Sequence, residues 1–119
     1  MTIARKDVDR LRVDFAAVVS GSTLPPIHPG EILQTEFLLP LGLSVYRLAQ
    51  ALRVPRPRLN DIVLGRRRVT TDTALRLARY FGTTAEFWIR LQVRYDLERA
   101  ESARRRIERE IQPLEALGG

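Results

Sequence analysis

The chain has 119 residues, enough to bury one hydrophobic core but not two independent ones. It holds no cysteine and a single histidine, His28, which excludes disulfides, thiolate nucleophiles, Cys-ligated zinc and any imidazole pair for a metal or hydrolase site. The net charge of +6 is concentrated: residues 44–68 carry seven arginines (Arg47, Arg53, Arg56, Arg58, Arg66, Arg67 and Arg68) against Asp61 alone, while the remainder of the chain is neutral.

In chain order, Val8, Leu11, Phe15 and Val18 share one face of a helix too short to be stable by itself. Ser20-Gly21-Ser22-Thr23 and Pro25-Pro26 then detach this segment, so residues 1–25 read as a mobile arm and linker. Asp7, Asp9 and Asp14 there are unlike a targeting signal, and no apolar run is long enough to span a bilayer; a soluble, cytoplasmic protein with no membrane partner is expected. The main domain, residues 26–97, opens where His28 can cap a helix, Pro29 suits its first position, and Ile32, Leu33 and Phe37 face inward. Pro40 with Gly42 is expected to end that helix soon after Phe37.

Ser44 caps a second helix, whose Leu48, Ala49 and Leu52 point to the core, and Pro55-Arg56-Pro57-Arg58 opens a third, with Leu59, Ile62 and Val63 inside and Gly65 as a left-handed terminator. Thr70 or Thr71 caps a fourth helix, where Ala74, Leu75, Leu77, Ala78 and Phe81 form a broad apolar surface before Gly82. Thr83-Thr84-Ala85-Glu86 fits the capping-box pattern and starts a fifth helix, which carries Phe87, Trp88, Leu91 and Tyr95. Trp88 and Tyr95 read as core or dimer packing rather than stacking platforms for single strands, because they follow the apolar spacing and lie outside the basic stretch. From Val93 onward Val93, Leu97, Ala100, Arg104, Ile107, Ile111 and Leu114 alternate spacings of 4 and 3; residues 98–119 are therefore read as a C-terminal helical extension that pairs with another helix, folds back on its own domain or frays at its end.

Five helices with short links give an all-α fold, and residues 44–64 have the form of a helix-turn-helix. Ala49 sits where two helix backbones cross closely, and Leu48, Leu52, Val54, Leu59 and Ile62 fill the wedge between them. Arg56, Pro57, Arg58, Asn60 and Asp61 then occupy the outward positions of the third helix, a set able to meet phosphates and base edges. Two positions depart from the common pattern. Arg53 stands in the turn where glycine is usual, at a cost of about 1 kcal/mol or more if its backbone is left-handed. Val45 replaces a frequent phosphate-binding glutamine, a task that backbone amides can take over.

The segments PIHPGEIL, VPRPRLNDIVLGRRRVT, DTALRLARYFGTTAEFW and LQVRYDL resemble the HigA family of antitoxins over about residues 26–97. The resemblance implies a phage-repressor-like fold, a homodimer, binding to double-stranded operator DNA of its own operon, and neutralisation of a HigB-like ribonuclease toxin. It also implies that Ser44 and Arg47 approach the DNA backbone, that Arg56, Arg58 and Asn60 face bases, and that Arg66 and Arg67 hold the next phosphates. Arg68 stands where a small residue is common, and either adds a phosphate contact or is solvated. Trp88, Leu91, Tyr95, Leu97 and Ile107 are the candidate dimer contacts, and Val8, Leu11, Phe15 and Val18 the candidate toxin contacts, unless the arm is an inert tail. No catalytic, cofactor or metal site is expected. A free-standing regulator without a toxin is the alternative; an RNA-processing enzyme is disfavoured by the dispersed acids and the absence of a base beside a nucleophile.

Overall fold

The computed structural model describes residues 25–115, and among these the ordered elements are all helical. The arm positions Val8, Leu11, Phe15 and Val18 lie outside the described residues. Helix α1 begins at Pro29–Ile32, widens into a π-helical stretch over Leu33–Leu38 and closes over Leu39–Leu41. It therefore runs past the expected stop near Phe37, with Pro40 inside it. A proline ring crowds the carbonyl one turn back and offers no N–H; the wider turns, in which the Leu39 N–H reaches the Gln34 carbonyl, relieve that crowding. Gly42, at φ 61°, supplies the left-handed stop.

Helix α2 spans Val45–Leu52, with the Ser44 hydroxyl accepting the Arg47 N–H at 3.1 Å. Helix α3 is Arg56–Val63, and α4 is Thr71–Phe81, capped by Thr70 and closed by left-handed Gly82. Helix α5 spans Ala85–Arg99 and α6 spans Glu101–Glu110. The capping-box reading is off by one residue at α5: Thr84, not Thr83, accepts the Phe87 N–H, at 3.1 Å. Thr83 instead accepts the Trp88 indole N–H at 2.8 Å, giving that polar edge the acceptor it needs once the ring is buried.

Helices α1 to α5 enclose one core. Phe37 lies at its centre, with ring centroids 4.9 Å from Phe81 and 5.0 Å from Trp88, and Leu33, Leu48, Leu59, Ile62 and Leu77 are buried around it. Trp88 and Leu91 belong to this core and are closed off by their own chain, so they are not available as dimer contacts. Tyr95 is half-buried and meets His28 edge to face at 4.8 Å, so it too packs chiefly within the protomer. Leu75, expected on the inner side of α4, is 57% exposed; Thr73, Ala74, Leu77 and Phe81 bury that helix without it.

The C-terminal row of apolar residues is not one continuous seam. The helix breaks at Ala100, whose φ of −91° and ψ of 10° separate α5 from α6, and Ile111 is already extended. No residue of α6 is buried, so this helix does not fold back onto the core. Its own charges support it: Arg104 pairs with Glu101 and, at 2.7 Å, with Glu108. Leu97, Ile107, Ile111 and Leu114 are left exposed.

Candidate nucleic-acid interface

The α2–turn–α3 unit forms because the chain reverses within three residues. The Val54 N–H bonds to the Ala49 carbonyl at 3.0 Å, and Arg53 takes up the left-handed backbone, φ 59° and ψ 45°. It is the one non-glycine residue with positive φ among those described, as its place in the turn required. From α4, the Arg76 guanidinium donates to the Leu52 carbonyl at 2.9 Å while its Nε holds Asp72 at 2.8 Å, so the end of α2 is fastened from outside the motif. Leu48, Ala49, Leu52, Val54, Leu59 and Ile62 are all buried between the helices.

Helix α3 is braced at its far end by α1. A Cβ on Gly30 would stand 1.8 Å from the Ile62 carbonyl oxygen and 3.0 Å from the Val63 Cα, so the two backbones touch where no side chain fits. His28 completes the brace. Its Nδ1 accepts the Gly30 N–H at 2.8 Å, its ring lies 3.6 Å from where a Cβ on Gly65 would be, and it is hydrogen-bonded with the Arg67 backbone. Burial holds the His28 pKa below its ordinary value near 6.5; the Arg67 bond and the charges of Asp96 and Glu31 oppose that shift, and Arg99 reinforces it. The imidazole is thus a neutral strut beneath the loop that leaves α3.

On this frame Ser44, Arg47, Arg56, Pro57, Arg58, Asn60, Arg66, Arg67 and Arg68 are all exposed, on α2, α3 and the loop following α3; Asp61 is half-buried. The structure differs from the sequence reading at Arg68, whose guanidinium is neither free nor simply solvated but paired with Asp96 of α5 at 3.1 Å. Sequence reasoning also missed Tyr46. Its exposed ring lies 5.9 Å from the Arg56 guanidinium carbon, and its hydroxyl accepts from Gln50 at 3.2 Å. The spacing of Tyr46 and Gln50 is a readable helical pair, whereas the approach of Arg56 depends on how the turn folds. Gln92 was missed as well: it is buried on α5 and accepts the Val69 N–H at 2.7 Å, a bond across 23 positions that no local pattern announces.

A braced helix pair with a cationic outer surface defines a DNA-binding protein of the helix-turn-helix class. Residues 36–88 match the helix-turn-helix family. Virulence-associated protein I of Dichelobacter nodosus is 52% identical over 84 residues, covering 71% of this chain and 78% of that protein. Antitoxin HigA-1 of Vibrio cholerae is 38% identical over 72 residues, 60% of this chain and 68% of that protein. The solved structure of Pseudomonas aeruginosa antitoxin HigA with the higBA promoter superposes with a TM-score of 0.72 at 51% identity, covering 75% of this chain and 98% of the other. The chain belongs to the HigA-like family of helix-turn-helix antitoxins and regulators, DNA-binding proteins rather than enzymes. Among the described residues no cluster of His, Asp or Glu is placed to hold a metal ion, and no helix is long and apolar enough to cross a membrane.

Proposed function

We propose that this chain is an autoregulatory antitoxin of the cytoplasm, a homodimer that binds the operator of its own operon and neutralises a HigB-like ribonuclease toxin. The observation that carries the DNA half of this reading is the exposure of Arg56, Arg58 and Asn60 on a helix held from behind by Gly30, in a chain half identical to an antitoxin solved with its promoter. In this reading α3 enters the major groove and its outward residues Arg56, Pro57, Arg58, Asn60 and Asp61 face bases. Ser44 and Arg47 meet the backbone at the start of α2, and Arg66 and Arg67 hold the phosphates beyond α3.

Homodimer formation suits a palindromic operator, since two copies of α3 must lie about 34 Å apart to read successive turns of one groove. Exposed Leu97 and Ile107 remain as contacts for the second copy, now that Trp88 and Leu91 are accounted for by the core. The toxin half rests on the family, with Val8, Leu11, Phe15 and Val18 as the proposed anchors.

Fluorescence anisotropy on a duplex from the promoter region tests the DNA reading. Arg58→Ala should weaken operator binding by about 1–3 kcal/mol while sparing non-specific duplex, and Arg67→Ala should weaken both alike. Unchanged affinity in both variants refutes the docking. Co-expression with the product of the adjacent gene, followed by pull-down and growth rescue, tests the toxin half. A chain lacking residues 1–22 should keep its operator affinity and lose rescue; failure of the full-length chain to capture or rescue leaves a free-standing regulator.

A further inference from the structure

The loop between α3 and α4 carries three consecutive arginines, and the structure treats them differently. Arg66 and Arg67 are exposed with no acidic partner among the described residues. Arg68 is drawn aside onto α5 by a relay of side chains. The Val69 N–H donates to the Gln92 Oε1 at 2.7 Å, Gln92 Nε2 donates to the Asp96 Oδ1 at 3.0 Å, and the Asp96 Oδ2 pairs with Arg68 Nη2 at 3.1 Å.

A single exposed ion pair is weak, because ordering two flexible side chains offsets most of its attraction. This one differs on the acid's side. Gln92 is 2% exposed and fixed by its backbone partner, so it orients Asp96 before Arg68 arrives. A phosphate competing for Arg68 would also leave the Asp96 carboxylate uncompensated beside a polyanion. We propose that Asp96 withholds Arg68 from DNA, so that this loop offers two phosphate-binding arginines rather than the three its sequence carries. Asp96 is thus a positioning residue for the interface, setting how many counterions binding releases. The proposal rests on docking through α3 and its following loop.

Each phosphate neutralised adds about 0.9 to the slope of log affinity against log salt concentration. The test measures that slope by anisotropy with a fluorescein-labelled random-sequence duplex. Asp96→Asn keeps an acceptor for Gln92 and removes the charge, and should steepen the slope by about 0.9 as Arg68 turns to phosphate. Arg68→Ala should leave the slope unchanged, and the double variant should return to the parental value. Circular dichroism melts confirm that each variant is folded, and Arg68→Gln provides a second way of removing the cation. A flatter slope in Arg68→Ala means that Arg68 already binds phosphate and overturns the proposal. No steepening in Asp96→Asn does so too, as does steepening that persists without Arg68, which would assign the gain to the carboxylate alone. Arg67→Ala runs alongside: if it flattens the slope while Asp96→Asn has no effect, only this proposal fails; if it has no effect either, the docking fails and takes the proposal with it.

Discussion

Replacing Gly30 by alanine places a methyl group 1.8 Å from the Ile62 carbonyl oxygen and 2.7 Å from its carbonyl carbon. Both are backbone atoms of α3, so no side chain can rotate away, and relief requires α1 or α3 to shift. Overpacking of a tight interior costs up to about 3 kcal/mol or more, while the better helix propensity of alanine returns at most about 1 kcal/mol. The net loss is roughly 2 kcal/mol, which for a domain of this size lowers the melting temperature by roughly 8–16 °C. Because the displaced helix is the one proposed to read bases, operator affinity should fall as well, even at temperatures where the variant is fully folded. Gly42→Ala is the comparator: its φ of 61° also disfavours a side chain, but nothing lies within 4 Å of the added atom. It should melt lower by the left-handed strain alone, about 1–2 kcal/mol, and bind DNA normally. The measurements are thermal melts by circular dichroism and anisotropy at fixed salt. Gly30→Ala with a melting temperature within a few degrees of the parent, or with unaltered operator affinity, would refute the close-approach argument.

His28 gives a pH dependence of stability whose sign is fixed by burial. Its pKa is lowered on folding, so the unfolded chain binds the extra proton more readily; the stabilisation is complete above about pH 6.5 and is lost as pH falls from there through the folded-state pKa. Denaturant titrations between neutral and mildly acidic pH should show this decline, and His28→Asn, which can still cap α1 but does not titrate, should reduce it; an equal decline in the variant would place the titration elsewhere. Arg53→Gly removes the left-handed strain of φ 59° but adds freedom to the unfolded chain, for a net stabilisation of roughly 0.5 kcal/mol. Its urea midpoint should rise, and a fall would show that the Arg53 side chain contributes more than its backbone costs.

The helical segments and the helix-turn-helix were legible from residues 27–97 because their signals act within a turn or two. Ser44 and Thr70 each offer an oxygen to an N–H three residues on, Gly42 and Gly82 accept left-handed backbones, and the turn after Leu52 forces Arg53 to positive φ. Charge position marked the exposed arginines proposed to meet DNA in the same local way. What sequence spacing could not supply was the partner of each surface. Trp88, Leu91 and Leu97 were all candidate dimer contacts, yet the first two close the core while Leu97 stays 63% exposed, because the packing of Phe37 and Phe81 fixes which part of α5 turns inward. Leu75 follows the same rule on α4. The threonine choice at α5 was settled by a buried indole seeking an acceptor, and the continuation of α1 past Pro40 by a change of helical turn. The touch of Gly30 on Ile62 and the relay from Val69 through Gln92 and Asp96 to Arg68 join residues more than twenty positions apart. Such contacts leave no period in the chain; they exist only once helices of set length are packed, which is why tertiary structure alone decided how the recognition helix is held and which arginines face outward unpaired.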